Sequence, residues 1–180
     1  SPEEGDYKSL GYALLNLGEA NEAAAAFREG LRRNGEGGAL YRGLGSAFLE
    51  QGEMDKAIAS FRKAINEEPE NGSYYNDLGN AYSMAGKPAQ AAEAFAGAYR
   101  RDPGAVSYNS YGYALRATGN YEKAVWAFTE QIRRSPGDAE AYNGLGYAYA
   151  DLGKGMKTLQ AFQKAVVLRP GKKSYDSLGY

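Results

Sequence analysis

Histidine and cysteine, two residue types that carry out much of protein chemistry, are both absent from this sequence of 180 residues. Zinc fingers, disulfide frameworks and Cys/His nucleophilic dyads need at least one of these residues and are therefore excluded. The carboxylate pair Glu67-Glu68 falls in a predicted turn, which indicates solvated surface rather than acid–base catalysis. The sequence also lacks a phosphate-binding loop and a nucleophile-elbow motif. It predicts a protein that is not an enzyme and that uses neither a metal nor a cofactor.

Paired arginines recur near the ends of predicted helices and raise the question of nucleic-acid binding. The 21 basic residues are matched by 22 acidic residues, so no net field attracts a phosphate backbone. Cations at a helix C-terminus complement the helix dipole, which contributes about 0.3–1 kcal/mol each. This structural role is the favoured interpretation, and no nucleic-acid partner is predicted. The pairs are Arg32-Arg33, Arg100-Arg101 and Arg133-Arg134.

A sequence motif repeats along almost the whole chain. Leu-Gly, or Tyr-Gly in one unit, recurs every 33 or 34 residues, and a tyrosine stands four residues before each of these glycines. A phenylalanine stands 16 residues after each of the first five, so one slot holds five of the six phenylalanines. The repeated glycines are Gly11, Gly45, Gly79, Gly112, Gly146 and Gly179, and the phenylalanines are Phe27, Phe61, Phe95, Phe128 and Phe162.

Each unit is predicted to form two helices. In the second unit, apolar residues at helical spacing lead up to Phe48 in the first helix and to Phe61 in the second. A left-handed Gly52 is expected to end the first helix, and Pro69 is expected to stop the second. Gly45 falls inside the first helix, where glycine costs about 1 kcal/mol relative to alanine. We expect this glycine to allow close approach of the phenylalanine from the second helix.

The 34-residue period, the Tyr-x-x-Leu-Gly motif, the downstream alanine and phenylalanine and the closing proline together resemble the tetratricopeptide repeat. The resemblance implies an all-α fold, a right-handed superhelical solenoid of antiparallel helix pairs. The chain departs from the family pattern at Tyr111, which replaces leucine, and at Gly30, Gln131 and Thr158, which replace alanine. The predicted units are residues 4–37, 38–71, 72–104, 105–138 and 139–171, followed by 172–180 as the start of a sixth, truncated repeat or a capping helix.

The resemblance also implies a concave groove, lined by the first helices, that holds a partner peptide or helix. The groove-facing slots that the repeat leaves free are rich in amides and tyrosines. Asparagine can donate to and accept from a peptide backbone, and tyrosine adds contact area at low entropic cost. The alternative is that these residues merely fill exposed first-helix positions. The predicted partner-binding residues are Lys8, Tyr12, Arg42, Asn76, Asn80, Asn109, Tyr113, Arg116, Asn143 and Tyr147.

Two binding modes known in the family can be compared with these slots. The carboxylate clamp of chaperone-binding members is absent, because only Lys8 matches it and Tyr12 stands where the clamp has asparagine. The asparagine ladder of the O-linked N-acetylglucosamine transferase is more similar, although the asparagines of this chain stand one slot earlier. This short ladder consists of Asn76, Asn109 and Asn143.

Trp126, the only tryptophan, is predicted on the outward side of a second helix, in a slot that holds Glu93 in another unit. Two interpretations of this residue are equally consistent with the sequence. Trp126 either anchors a contact on the convex face or folds over its own neighbours.

Taken together, these patterns predict a non-enzymatic protein–protein interaction scaffold that binds a partner protein or peptide. A second hypothesis is that the chain is an assembly subunit or adaptor of a bacterial envelope, pilus or secretion complex. The other form of this hypothesis is self-assembly into a homo-oligomer through the terminal repeats, by way of an open C-terminal end. A third is a regulatory arm of an enzyme whose catalytic part lies outside these residues. No apolar run approaches the roughly 20 residues that span a bilayer, so membrane insertion is not predicted. The lack of cysteine fits both cytoplasm and periplasm, which leaves the compartment open.

Overall fold

The computed structural model of the chain describes residues 4–34 and 37–169. In these two ranges the regular elements are ten α-helices and one short 3₁₀ turn, Pro103–Ala105. The helices are α1 (Glu4–Asn16), α2 (Ala20–Asn34), α3 (Gly38–Glu50), α4 (Met54–Glu67), α5 (Gly72–Met84), α6 (Pro88–Arg101), α7 (Tyr108–Ala117), α8 (Tyr121–Arg134), α9 (Ala139–Asp151) and α10 (Gly155–Leu168).

The helices are distributed over two compact units, Ser1–Val106 (unit 1) and Ser107–Tyr180 (unit 2). Unit 1 contains the antiparallel pairs α1–α2, α3–α4 and α5–α6, and unit 2 contains α7–α8 and α9–α10. Inside each unit the second helix of one pair packs on the first helix of the next, as α2 does on α3 and α8 on α9. The all-α architecture of helix pairs agrees with the prediction from the sequence.

The repeated phenylalanines form the centre of each pair. Phe95 is 0% exposed and Phe61 is 1% exposed. A Cβ atom on Gly45 would lie 2.6 Å from the ring of Phe61, and one on Gly79 would lie 2.7 Å from the ring of Phe95. Real Cβ atoms do not approach other atoms this closely, so the glycines inside the first helices have the packing role that their spacing predicts.

The ends of the helices also follow the predicted signals. The glycines after the first helices have positive φ, for example +75° at Gly52 and +68° at Gly86. A left-handed residue at this position ends a helix, and glycine adopts it without a steric penalty. The second helix α4 ends at Glu67, two residues before Pro69. The predicted start of a sixth unit, residues 172–180, lies outside the described residues.

Candidate partner-binding face

The predicted partner-binding residues lie on one side of the first helices, here called the first-helix face of each unit. In unit 1 this face belongs to α1, α3 and α5, and in unit 2 to α7 and α9. Each predicted side chain is partly exposed, whereas other residues of the same helices, such as Ala47 and Ala81, are fully buried. Unit 1 presents Lys8, Tyr12, Arg42, Asn76 and Asn80, and unit 2 presents Asn109, Tyr113, Arg116, Asn143 and Tyr147.

The three tyrosines of these faces also belong to the packing of the helix pairs. Each packs edge-on against the phenylalanine of its own pair. Burial raises the pKa of Tyr12. Burial, reinforced by the nearby carboxylate of Glu140, raises the pKa of Tyr113 to about 12. The hydroxyls of Tyr12 and Tyr113 are therefore neutral near pH 7. The ring pairs, with centroids 5.1 or 5.2 Å apart, are Tyr12–Phe27, Tyr113–Phe128 and Tyr147–Phe162.

A second set of glycines, which the repeat motif does not predict, makes room for two of the phenylalanines that these tyrosines contact. A Cβ atom on Gly43 would overlap the ring of Phe27 from the preceding pair, and Gly144 has the same relation to Phe128. Each of the two stands two residues before the repeated glycine of its own unit. In both cases the preceding unit carries one of these tyrosines on its face. The sequence contains a signal for this contact: in these two places, a tyrosine directly after the repeated glycine of one unit is followed, in the next unit, by a glycine two residues before the repeated glycine.

An ion pair links neighbouring first helices in unit 1. Arg42 Nε on α3 donates to Asp77 Oδ2 on α5 at 2.6 Å, and the side chain of Asp77 is only 19% exposed. Burial raises the pKa of Asp77, although the charge and hydrogen bond of Arg42 oppose this rise and a hydrogen bond from Asn76 does so too. Arg42 and Asn76 therefore use part of their hydrogen-bonding capacity within the protein.

Unit 2 contains a corresponding ion pair. Arg116 Nε on α7 donates to Asp151 Oδ2 on α9 at 2.5 Å, and the guanidinium carbon of Arg116 lies 5.1 Å from the ring centroid of Tyr147. In both units the arginine and the aspartate are 35 residues apart. Each pair therefore adds a polar contact between the first helices of two successive helix pairs along the face.

Asn109 takes part in a hydrogen-bond network at the start of α9. Its Nδ2 donates to Asp138 Oδ2 at 3.0 Å, and Gln131 Nε2 donates to the same oxygen at 2.8 Å. The other oxygen, Oδ1, accepts from the backbone N–H groups of Glu140 and Ala141, so Asp138 caps α9. Burial of Asp138 raises its pKa, but these hydrogen bonds outweigh burial and the pKa is lowered. The network accounts for Gln131, which departs from the alanine of the repeat pattern.

Other residues of the faces remain available. Within the described ranges, Lys8 and Asn80 form no hydrogen bond or ion pair, and the amide of Asn143 forms no hydrogen bond either. Asn143 Oδ1 is buried without a hydrogen-bond partner. Tyr147 is the most exposed of the three tyrosines, with 39% of its surface accessible. Of the ten predicted residues, Lys8, Asn80 and Asn143 therefore have polar groups available to a partner. Tyr147 has an exposed ring that a partner can contact.

Comparison of the chain with known families identifies the repeat. The tetratricopeptide repeat profile matches residues 9–75, 58–106, 76–138 and 111–173, in four overlapping stretches. The chain belongs to the tetratricopeptide repeat family. No curated protein matches this tetratricopeptide chain significantly in sequence.

Solved structures confirm the tetratricopeptide fold. YrrB, described as a tetratricopeptide protein with an unusual peptide-binding site, superposes with a TM-score of 0.82 at 23% identity, over 97% of this chain and 89% of YrrB. MamA superposes with a TM-score of 0.82 at 24% identity, over 96% of this chain and 95% of MamA. Similarity at this level of identity establishes the fold of the chain.

Trp126 of the tetratricopeptide chain folds over its own unit. Its ring lies edge-on to Tyr108, at 5.9 Å between centroids, and to Tyr111, at 6.0 Å. The residue keeps 36% of its surface exposed. Its contacts within the chain agree with the second interpretation from the sequence, and a partner contact of Trp126 on the convex face stays a prediction.

Neither metal binding nor a membrane span is indicated for the part of the tetratricopeptide chain that the structure covers. Among residues 4–34 and 37–169, no three acidic side chains come together in a way that would hold a metal ion. No helix in the same ranges is long and apolar enough to cross a membrane.

Proposed function

We propose that this chain is a non-enzymatic scaffold whose first-helix faces bind a partner peptide or helix. The role as a non-enzymatic interaction scaffold rests on the family, since tetratricopeptide repeats are typically protein-interaction modules without catalytic activity. The assignment to these faces rests on the residues that the packing of the repeat does not use.

The observation that carries the proposal is the presence of amides without partners on a partly exposed face. Asn80 makes no hydrogen bond with any described residue, and the buried oxygen of Asn143 finds no partner among them either. A buried acceptor without a partner costs about 1–3 kcal/mol. Rotation of the Asn143 amide towards a partner backbone N–H would recover this cost on binding. Tyr147, on the same face as Asn143, supplies an exposed ring beside the Arg116–Asp151 ion pair.

The partly buried ion pairs favour a partner with modest sequence demands. Arg42 and Arg116 are already paired with aspartates, so they do not form an anion-binding cluster such as a clamp for a C-terminal carboxylate. Apart from the ammonium of Lys8, the groups left over are amides and hydroxyls, which bond to peptide backbone irrespective of side-chain identity. We infer that the partner is recognised mainly through its backbone and through contact with the tyrosines.

Photo-cross-linking tests this proposal. Tyr147 is replaced by the photoreactive p-benzoylphenylalanine, and cells of the source organism that express the variant are irradiated. We expect a discrete cross-linked protein that mass spectrometry identifies. Tyr99 on the second helix α6 is the matched control, because it is 41% exposed and Tyr147 is 39% exposed. Equal cross-linking from both positions, or cross-linking from position 99 alone, would contradict the assignment of binding to the first-helix face.

A further inference from the structure

An open cleft lies in unit 1, away from the first-helix face. It has a volume of about 240 Å³ and is bounded by α4, α5 and α6. Its floor is formed by Tyr75 together with Leu78 and Tyr82, which are 7% and 5% exposed. At 100° per residue, these three positions lie roughly 150° around α5 from Asn76 and Asn80, so the cleft is distinct from the first-helix face.

The floor of the cleft at Tyr75 is held in place before any ligand binds. The guanidinium carbon of Arg101 lies 4.0 Å from the ring centroid of Tyr75. Arg101 is itself anchored, because its Nε donates to the carbonyl oxygen of Pro69 and its Nη1 donates to that of Gly97 at 3.2 Å. A Cβ atom on Gly97 would lie 2.8 Å from the Tyr75 ring, so the glycine leaves room for this arrangement.

A second helix pair shows which side chain fits this position. Trp126 stands two residues before Phe128, as Glu93 stands two residues before Phe95. The Trp126 ring covers Tyr108 and Tyr111, which occupy the repeat positions of Tyr75 and Leu78. In unit 2 an indole therefore fills the site that Glu93 leaves open in unit 1.

The rim of the open cleft is positively charged. Arg62 and Arg100 line it, and neither forms an ion pair or hydrogen bond with any described residue. Glu93 is the one carboxylate that lines the cleft. Two cations against one carboxylate leave a net charge of +1 at the opening.

We propose that this cleft binds an aromatic side chain, tryptophan above all, from a partner protein in which acidic residues flank the aromatic residue. The aromatic ring packs on Tyr75 and Leu78 as Trp126 packs on Tyr108 and Tyr111, and the flanking carboxylates meet Arg62 and Arg100. A buried aromatic side chain removes on the order of 150–250 Å² from water, which makes it a strong anchor.

Unit 2 contains a second cleft of the same design. It has a volume of about 290 Å³ and lies between α9 and α10, with Tyr142, Leu145 and Tyr149 at the positions of the three floor residues of unit 1. Gln160 takes the place of Glu93, and Lys157 is the cation of its lining. With one cation and no carboxylate, this lining also has a net charge of +1, so the same chemistry predicts that the acidic aromatic segment binds here as well.

Short peptides test the proposal on the full chain. The probe is Ac-Glu-Trp-Glu-NH2, with Ac-Lys-Trp-Lys-NH2 and Ac-Glu-Ala-Glu-NH2 as controls for charge and ring. Binding is followed by backbone amide NMR. We expect saturable changes in the backbone amide chemical shifts of residues 75–97 with the acidic tryptophan peptide and with neither control peptide. The dissociation constant should be on the order of 1 mM. The proposal is overturned by no saturable shift up to about 10 mM peptide, or by equal affinity for the lysine peptide.

Two variants locate the peptide in the cleft. Glu93→Trp should fill the cleft as Trp126 does in unit 2 and abolish the shifts at residues 75–97, whereas Glu122→Trp on α8 leaves them unchanged. Arg62→Gln with Arg100→Gln removes both positive charges, which leaves the carboxylate of Glu93, and should weaken binding by at least about fivefold, independently of how Glu93→Trp folds. Unchanged affinity in folded Glu93→Trp protein, or in the double glutamine variant, refutes the site. Failure of the first-helix-face proposal would show in the cross-linking experiment and leave these titrations unaffected.

Discussion

At the scale of single residues, the contact between glycine and phenylalanine sets the distance between the two helices of a pair. Phe95 is fully buried and touches the space that a Cβ on Gly79 would occupy. Glycine inside a helix costs about 1 kcal/mol relative to alanine, and the recurrence of this cost is explained by the buried ring that it admits. The stability of each pair should therefore depend strongly on its phenylalanine.

Truncation of this ring measures that dependence. Phe95→Ala should lower the free energy of unfolding by about 3–5 kcal/mol, because the cavity it leaves is bounded by two packed helices. Urea denaturation followed by circular dichroism gives this value. Met84→Ala is the control, since Met84 is 59% exposed and its truncation should change stability by about 0.5 kcal/mol or less. A near-neutral Phe95→Ala would refute the packing described for the pair.

At the scale of helices, contacts within one pair and contacts between pairs differ in how far the sequence predicts them. The helix ends and the Gly79–Phe95 contact follow from spacings that recur along the chain, so the sequence alone predicts them. The Arg42–Asp77 ion pair could not be predicted in this way, because neither residue belongs to the repeat pattern. The bond from Asn109 to Asp138 was missed for the same physical reason, since it depends on how one helix pair is placed against the next.

The cap of α9 makes a prediction about pH. The pKa of Asp138 is lower in the folded chain than its usual value, because hydrogen bonds from Gln131, Asn109 and two backbone amides outweigh burial. A depressed pKa means that the ionised group stabilises the fold above the unfolded pKa, about 3.9, and that this stabilisation is lost as the pH falls through the lower folded pKa. Asp138→Asn should therefore be less stable than wild type at pH 7, and the difference should shrink below about pH 4.

Thermal denaturation from pH 7 to pH 2.5 checks this expectation. Glu70→Gln is the control for loss of one carboxylate, since Glu70 is exposed and forms no hydrogen bond or ion pair with any described residue. A difference between wild type and Asp138→Asn that stays constant or grows towards acid pH would contradict the network at the start of α9.

At the scale of the whole molecule, both units present a first-helix face with the same kind of inter-helix ion pair but with different surrounding charge. Cations and carboxylates are equal in number on the face of unit 1, whereas carboxylates outnumber the cation on the face of unit 2, so unit 2 should favour a basic stretch of a partner more strongly than unit 1 does. The charged residues are Lys8, Arg42, Glu50 and Asp77 in unit 1, and Arg116, Asp138, Glu140 and Asp151 in unit 2.

The most direct test of the central claim is the dissociation constant of the partner captured through position 147, measured for wild type and for Asn80→Ala combined with Asn143→Ala. Neither amide has a hydrogen-bond partner among the described residues, and the buried oxygen of Asn143 is unsatisfied, so the double variant should melt at the temperature of the wild type or above it. Loss of two amide hydrogen bonds should weaken binding by about 5- to 150-fold. Asn21→Ala with Asn66→Ala, two exposed asparagines of second helices, is the matched control and should bind as wild type does. An unchanged dissociation constant for the Asn80/Asn143 variant would contradict the assignment of partner binding to the first-helix faces.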